Sequence, residues 1–439
     1  MSLFGAMNSA ISGLNAQSHA FGNISDNVAN SQTAGFKRVD TSFISYLTTS
    51  NLSNNEPGAV VAKPDYVNTV QGTITQSDNP LAMAIAGQGF FAVSQQVGQL
   101  NGLPTFNPQP FYSRAGDFQL NKTGYMVNSA GLYLNGWTVD PQTNEANQNS
   151  LAPIQVSQTV FNPVATSEVT LSANLPATPG NGIGTVGTPI ASTIDVYDSL
   201  GTVHSINLNW VQTANNTWTV SVDAPDADVT NLGSATVTFG STSGNGVVEG
   251  TIGDIGNVTG TVQTSGYAAD TAAVMSFDAT FDGVTQTIQL NMGTYGQTSG
   301  VTQFAGTTYN LRGLTQNGVP PGSFSSVSMR SDGGIVVNYD NGQARTIAQV
   351  PLITFNNPDA LQRQNGQAFN ATLESGTPLA EPAGTNGAGV LVTSSIEGSN
   401  VDIASEFSKL IVAQRAYSAN TKVVVTADDL LQQTIDMKR

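Results

Sequence analysis

Leu3, Met7, Ala10, Leu14, Gln17, Phe21, Ile24 and Val28 recur in alternating steps of four and three, and Gln17 is their one polar member. That heptad spacing predicts a helix carrying a narrow apolar stripe. It stops at Asn30, before the turn-forming run "NSQTAG". The other end of the chain repeats the theme. Ile403, Leu410, Tyr417, Val424 and Leu431 share one seven-residue phase, while Phe407 and Ile435 lie on a neighbouring phase diluted by Gln414, Thr421 and Asp428. Ser399, Asn400 and Asp402 offer N-caps for this second helix. Lys438 and Arg439 place positive charge at its end, where the helix dipole favours it. The pattern leaves open whether the stripes pack on the rest of the chain or pair with each other and with other copies.

Between the ends the period falls from seven to two. "FDGVTQTIQLNM" sets Phe281 before the pair Asp282-Gly283, and Ile288, Leu290 and Met292 on alternate positions after it. "GGIVVNYDNGQ" sets Ile335, Val337 and Tyr339 before Asn341-Gly342, and "IDVYDSLGTVHSINLNW" puts Ile206, Leu208 and Trp210 on one face. Asp-Gly and Asn-Gly between alternating runs predict hairpins. Polar stretches at 145–153 and 312–322 predict boundaries. The chain then reads as mainly β with helical termini (1–30 and 396–439) and an extended linker segment (31–70). Residues 71–150 and 312–390 form one discontinuous β domain, interrupted by an inserted β domain at 151–311.

Composition sharpens this reading. The 439 residues suffice for two to four domains, and the 45 glycines with only 10% charged residues suit a turn-rich β protein. The absence of cysteine excludes disulfides, zinc–thiolate sites and a cysteine nucleophile. The net charge is −16, and no Lys or Arg occurs between Lys122 and Arg312, an interval holding thirteen acids. Such a surface cannot neutralise phosphates, so nucleic acid is not an expected partner. It predicts a solvated, self-repelling face, without the alternating acids of a calcium loop. The first basic residue is Lys37 and no apolar core precedes it, so no cleaved secretory signal is expected. No run of 18 apolar residues occurs, so no membrane insertion by a helix is expected.

Chemistry is hard to assemble from these residues. His19 lies in the first helix and His204 follows the "DSLG" turn; neither has a partner at metal-ligand spacing. No H-E-x-x-H or G-x-S-x-G occurs. "GNGIGTVG" at 180–187 lacks the Gly-Lys-Ser/Thr ending of a phosphate loop and reads as a flexible loop, and the glycines of "AGQGFFAV" at 86–93 shape entry to a strand. Asp226 and Asp228 are two of many scattered acids, not a glycosidase pair. No catalytic, cofactor-binding or metal site is predicted, and no enzyme.

Several motifs point in one direction. "SGLNAQ" (12–17), "NISDNVANSQTAGFKR" (23–38), "GQGFFAV" (87–93), "YSRAGDFQLNKTGYMVNSAGLYLNGW" (112–137) and "SNVDIASEFSKLIVAQRAYSANTKVV" (399–424) resemble the bacterial flagellar axial proteins. Within that family, "IDVYDSLGTVHSINLNW" (194–210) and "SMRSDGGIVVNYDNGQARTIAQVPLITFNNPDALQRQNG" (328–366) resemble its hook branch. The resemblance covers both ends and much of the 71–150 and 312–390 region, and it is weak from about 211 to 311.

The resemblance implies that both terminal helices form a coiled-coil domain lining a channel, with an inner β domain and an outer inserted one. It implies a helical homopolymer: a flexible, curved tube acting as a universal joint that transmits torque from rod to filament. Implied partners are other copies of the chain, rod, hook-cap and hook–filament junction proteins, and a type III export apparatus, with an extracellular place in the flagellum. Assembly residues on the stripes would be Leu3, Met7, Ala10, Leu14, Phe21, Ile24, Val28, Ile403, Phe407, Leu410, Tyr417, Val424 and Leu431. The family's export pattern, a Phe, three residues and a hydrophobic residue, falls on Met7 and Ile11, with Met7 standing where the pattern has Phe. Asn30, Gly35, Phe36 and Lys37 would form the helix-to-linker junction, with Lys37 and Arg38 marking where charge becomes tolerable outside the helical packing. The alternatives are a distal-rod or hook-associated protein, or a secreted β-rich adhesin; the adhesin does not explain matched helical motifs at both ends.

Overall fold

The computed structural model describes residues 3–50, 55–140, 143–177 and 189–437. The glycine-rich stretch at 180–187 and the last two basic residues, Lys438 and Arg439, lie outside them. The fold is mainly β, with one long helix at each end. It divides into two compact units. The first comprises Met1–Gln158, Ser325–Asn338 and Ala344–Arg439, and the second Thr159–Phe324 and Tyr339–Gln343.

In the first unit, helix α1 (Leu3–Ala29) and helix α2 (Ile403–Asp436) pack against each other. Three contacts fix an antiparallel arrangement: Gly13 with Asn420, the rings of Phe21 and Tyr417, and Asn27 with Glu406. Asp402 caps α2, its Oδ1 accepting from the amides of Ala404 (2.9 Å) and Ser405 (3.3 Å). The segment read as an extended linker is largely something else. Val39–Ser50 (β1) and Asn55–Tyr66 (β2) form an antiparallel hairpin that packs on α1. A two-stranded hairpin is marginal by itself, and α1 supports this one. The Ser12 hydroxyl accepts from the Val60 amide (3.1 Å), and Asn23 donates to Thr41 (2.9 Å).

The β part of this unit is one large sheet whose central strands are Phe90–Leu100 and Leu132–Thr138. Its core includes a cluster of Phe90, Tyr112, Ile353, Phe355 and Phe369. Phe90 meets Phe355 and Phe369 edge-on, at 5.9 and 5.6 Å between ring centroids. Two small ladders complete the unit: Ile74–Gln76 pairs with Ser395–Glu397, and Met83–Ala86 with Val390–Thr393.

The second unit packs a five-stranded antiparallel sheet and a six-stranded sheet around a single core. Trp210, Trp218 and Val237 come from the first sheet, Leu171, Phe277 and Leu290 from the second. Alternation in the sequence is realised strand by strand: Ile206, Leu208 and Trp210 are all buried. The Phe281–Val284 hairpin turns through Asp282 (φ 49°) and Gly283 (φ 78°), as a two-residue loop with positive φ requires.

Candidate assembly junction

Helices α1 and α2 meet on their small residues. Ala10, Ala20, Ile24 and Asn27 are buried on α1, and Glu406, Ala413 and Ala427 on α2. At Gly13 a Cβ would come within 2.8 Å of the Asn420 Nδ2, the tip of a side chain that packs over the glycine. Glu406, Ala413, Asn420 and Ala427 recur every seven residues, interleaved with Leu410, Tyr417, Val424 and Leu431. Together they make a complete heptad seam. The apolar phase found from sequence is therefore half of it; the companion phase is small or polar, and a search for apolar residues passes over it.

The other stripe residues are left at the edge or outside. Leu3, Met7, Leu14, Phe21 and Val28 are half-buried, as are Leu410, Val424 and Leu431, and Phe21 reaches Tyr417 with ring centroids 6.3 Å apart. Ile403, Phe407, Ile411, Val412, Tyr417, Val425 and Leu430 are exposed, Val412 at 67%. Ile11 is also exposed, beside half-buried Met7. A groove of about 530 Å³ runs between α1, α2 and β1, with Ala20, Ile24 and Ala413 among its lining residues and Phe43, Asp40, Glu406 and Lys409 along it.

At the foot of the helices the chain leaves α1 through Asn30, whose amide and side chain both bond the Asp26 carbonyl. Asn27, fully buried, ties three elements: its side chain exchanges hydrogen bonds with the Val39 amide and carbonyl (2.9 Å each) and donates to Glu406 (3.1 Å). Lys409 bridges Glu406 (2.7 Å) and Asp40 (2.5 Å). Burial pulls the Lys409 ammonium's pKa down, but its hydrogen bonds to Asp40 and Glu406 outweigh that and raise it.

Gly35 then makes a left-handed turn (φ 68°), its amide bonding the Glu397 carbonyl at 2.8 Å. A Cβ here would lie 2.4 Å from the Ala115 amide nitrogen, so both conformation and space call for glycine. Phe36 is buried, and the Arg363 guanidinium lies over its ring and that of Tyr66, at 5.2 and 5.4 Å.

Lys37 corrects the sequence reading. It does not mark a return to solvent; it is 1% exposed. Its Nζ donates to Glu397 Oε1 (2.6 Å) and to the Val70 carbonyl (2.7 Å). The second Glu397 oxygen takes Arg114 Nη1 at 3.1 Å, and Arg114 Nη2 donates to the Gly87 carbonyl at 2.7 Å. Burial lowers the pKa of both cations, Glu397 opposes that shift in each, and the neighbouring Arg114 charge lowers Lys37 further. Arg38 stays at the surface, its side chain 3.3 Å from Asp40 and its amide bonded to Asn400 (2.7 Å). Sequence reasoning named Asn30, Gly35, Phe36 and Lys37 for the junction, offered Asn400 only as an N-cap, and missed Arg114 and Glu397; Arg114 falls inside a motif that carried the resemblance, and Glu397 lies two positions before another.

The described residues contain no group of His, Asp and Glu arranged to hold a metal, and no helix among them is long and apolar enough to cross a membrane. His204 is buried, stacked on Phe281 at 3.8 Å, with Asp198 3.6 Å away; His19 is an exposed residue of α1.

Comparison with known proteins gives four family matches along the chain. Residues 7–37 match the family described as flagella basal body rod protein, and 84–174 the flagellar hook protein FlgE/F/G D1 domain. Residues 185–319 match the flagellar basal body protein FlaE D2 domain, and 392–437 the flagellar basal body rod FlgEFG protein C-terminal region. The chain is 31% identical to the flagellar hook protein FlgE of Brucella abortus over the whole of both chains. It is 30% identical to that of Salmonella typhimurium, over 98% of this chain and 99% of that protein. A crystal structure of Helicobacter pylori flagellar hook protein FlgE2 superposes with a TM-score of 0.47 at 14% identity, covering 72% of this chain and 98% of the other.

Proposed function

The chain belongs to the flagellar hook protein family, and on that premise we propose that it is the structural subunit of a bacterial flagellar hook. It polymerises into a curved tube that carries torque from the rod to the filament. The role is mechanical, not catalytic. One observation carries the reading: α2 spends its small residues on α1 and leaves its large apolar ones, Phe407, Ile411, Val412 and Val425, in water. A surface of that kind on a long helix is explained by neighbouring copies that cover it, and contacts that do not close into a ring propagate a filament.

In this reading the helix pair builds the inner tube; Ala10 and Ile24 are buried within the chain, and the stripe residues left half-buried or exposed between Leu3 and Val28 and between Ile403 and Leu431 face neighbouring copies. Asn30, Gly35, Phe36 and Lys37 carry the chain from that tube into the β part of the first unit. The second unit, free of basic residues from Thr159 to Leu311, serves as an outer domain whose like charge discourages locking between neighbours. Export without a cleaved signal through a type III apparatus, with Met7 and Ile11 read by it, belongs to the same proposal. So do contacts with rod, cap and junction proteins.

The test is electron microscopy of the purified chain under polymerising conditions, beside the variant Phe407→Glu/Ile411→Glu. Curved tubes from the parent and soluble, folded monomers from the variant are expected. A parent that stays monomeric and binds glycans would point to the adhesin reading.

A further inference from the structure

Residues 390–400 are bonded almost entirely to parts of the chain made hundreds of residues earlier. Val390–Thr393 forms a two-stranded ladder with Met83–Ala86, and Ser395–Glu397 another with Ile74–Gln76. The Ser77 amide bonds the Ser394 carbonyl, and the Gly398 amide bonds the Thr73 carbonyl, both at 2.8 Å. Asn400 accepts from the Arg38 amide (2.7 Å) and donates to the carbonyls of Val67 and Val70 (3.0 Å each). At the centre sits Glu397, with no exposed side-chain surface. It takes Lys37 on one oxygen, Arg114 on the other, and the Gly72 amide at 2.8 Å.

Removing this segment in thought shows what it holds. Two N-terminal strands lose their ladder partners. Lys37 and Arg114 become two buried cations with no carboxylate between them, an arrangement that a protein interior does not tolerate. Residues 35–40, 67–76, 83–87 and 114–116 therefore cannot close in the native way without it. The pairs Asn27–Val39 and Met83–Gly116 contain no residue of the segment, yet they lie inside this region.

We propose that residues 390–400 are a closing strap: the N-terminal junction stays open until this late segment arrives and Glu397 neutralises the meeting point of Lys37 and Arg114. In any chain that emerges N-terminus first, the strap comes just before α2. The helix α1 is thus kept from a fixed seat until the partner helix is at hand, and the pairing surface is completed in one late step. This holds whatever the chain assembles into.

The test is hydrogen exchange on the full-length monomer. In pulse labelling during refolding, the amides of Val39 and Met83 are expected to gain protection together with those of residues 390–398. Protection of Val39 and Met83 about tenfold earlier than the strap would overturn the proposal. At equilibrium, Glu397→Gln is expected to speed exchange about tenfold or more across 35–40, 70–76 and 83–87 together, leaving 206–212 of the second unit unchanged. Faster exchange confined to 395–400 would overturn it. The variant Lys37→Met/Arg114→Met/Glu397→Gln separates charge from packing. If neutralisation is what closes the junction, most of the protection lost in Glu397→Gln returns. If the triple variant exchanges as fast as the single one, Glu397 acts by shape and the proposal fails.

Discussion

Glu397 and Lys37, 360 positions apart in sequence, meet at 2.6 Å with both side chains shut off from solvent. Removing either leaves a different remainder. Lys37→Met leaves Glu397 held by Arg114 and the Gly72 amide, whereas Glu397→Leu strands two cations. Glu397→Leu is expected to destabilise the first unit by about 3–5 kcal/mol, and Lys37→Met by about 1–3 kcal/mol. Urea unfolding followed by hydrogen exchange, read separately for the two units, checks the order. A larger loss from Lys37→Met would mean that the Val70 carbonyl, not the acid, is the partner that matters.

Gly35 should resist substitution more than its surface-loop appearance in the sequence suggests. Alanine would have to hold φ near 68° and place Cβ 2.4 Å from the backbone nitrogen of Ala115. Backbone atoms cannot swing aside as a side-chain tip can. Gly35→Ala is expected to cost the first unit at least about 2 kcal/mol. Gly131→Ala, in the same unit, is the comparison: its φ of 80° brings similar backbone strain, but nothing lies within 4 Å of its Cβ. The difference in unfolding midpoint between the two variants isolates the clash at the junction.

Ala413 is a small residue of the α2 seam, in phase with Glu406 and Asn420, which meet α1. It is buried on the face that meets α1. Ala413→Leu adds three carbons at a buried position of the seam, and overpacking of this kind costs about 1–3 kcal/mol. Helical circular dichroism of the monomer should fall, and polymer yield with it, while the second unit melts unchanged. Val412→Leu, one position along at an exposed site, should leave the helical signal of the monomer unchanged.

How much of this was legible depends on where the information sits. The seven-residue period was visible because Leu410, Tyr417, Val424 and Leu431 are large and apolar. Their companions Glu406, Ala413, Asn420 and Ala427 were not, since close helix packing selects for small side chains, not oily ones. A search for small residues at spacing seven would have found Gly13, Ala20 and Asn27 opposite them. The hairpin β1–β2 escaped because Phe43, Ile44 and Tyr46 break strict alternation; this two-stranded ribbon has one face on α1, and Phe43, Ile44 and Tyr46 are all exposed. The burial of Lys37 could not be read locally at all. Its permission to be buried is written at Glu397 and at the Val70 carbonyl, and only the fold brings them together. Asp282-Gly283, by contrast, is a local signal and formed the predicted turn.

Lys409 gives the helix–hairpin contact a dependence on alkaline pH. Its pKa is raised in the folded state by Asp40 and Glu406 against the opposing effect of burial. The stability it contributes is therefore fully present below its ordinary value of 10.5 and is lost as pH rises through the higher folded-state value. Lys409→Met should be less stable than the parent at neutral pH. The gap between them should narrow in the alkaline range, as measured by urea unfolding of the first unit. A gap that stays constant with pH would mean that the lysine contributes through its methylene stem alone.

Asp198 makes the opposite prediction for the second unit. Its Oδ1 accepts from the amides of Leu200 (2.9 Å) and Thr202 (2.7 Å), holding the "DSLG" turn, and His204 lies 3.6 Å from its other oxygen. Burial alone would push the carboxyl's pKa up. The two backbone hydrogen bonds and the imidazole outweigh it, and the value falls below the ordinary 3.8. The stability held here is thus present above 3.8 and is lost as pH falls through the lower folded-state value. Asp198→Ala should cost the second unit about 1–2 kcal/mol at neutral pH by leaving two turn amides unpaired. Asp198→Asn keeps an acceptor for those amides but removes the charge. It should recover part of the loss and abolish the acid dependence between about pH 4 and 2. Thermal melts of the three proteins across that range decide it. If Asp198→Asn keeps the parent's acid profile, the titrating group lies elsewhere in the unit.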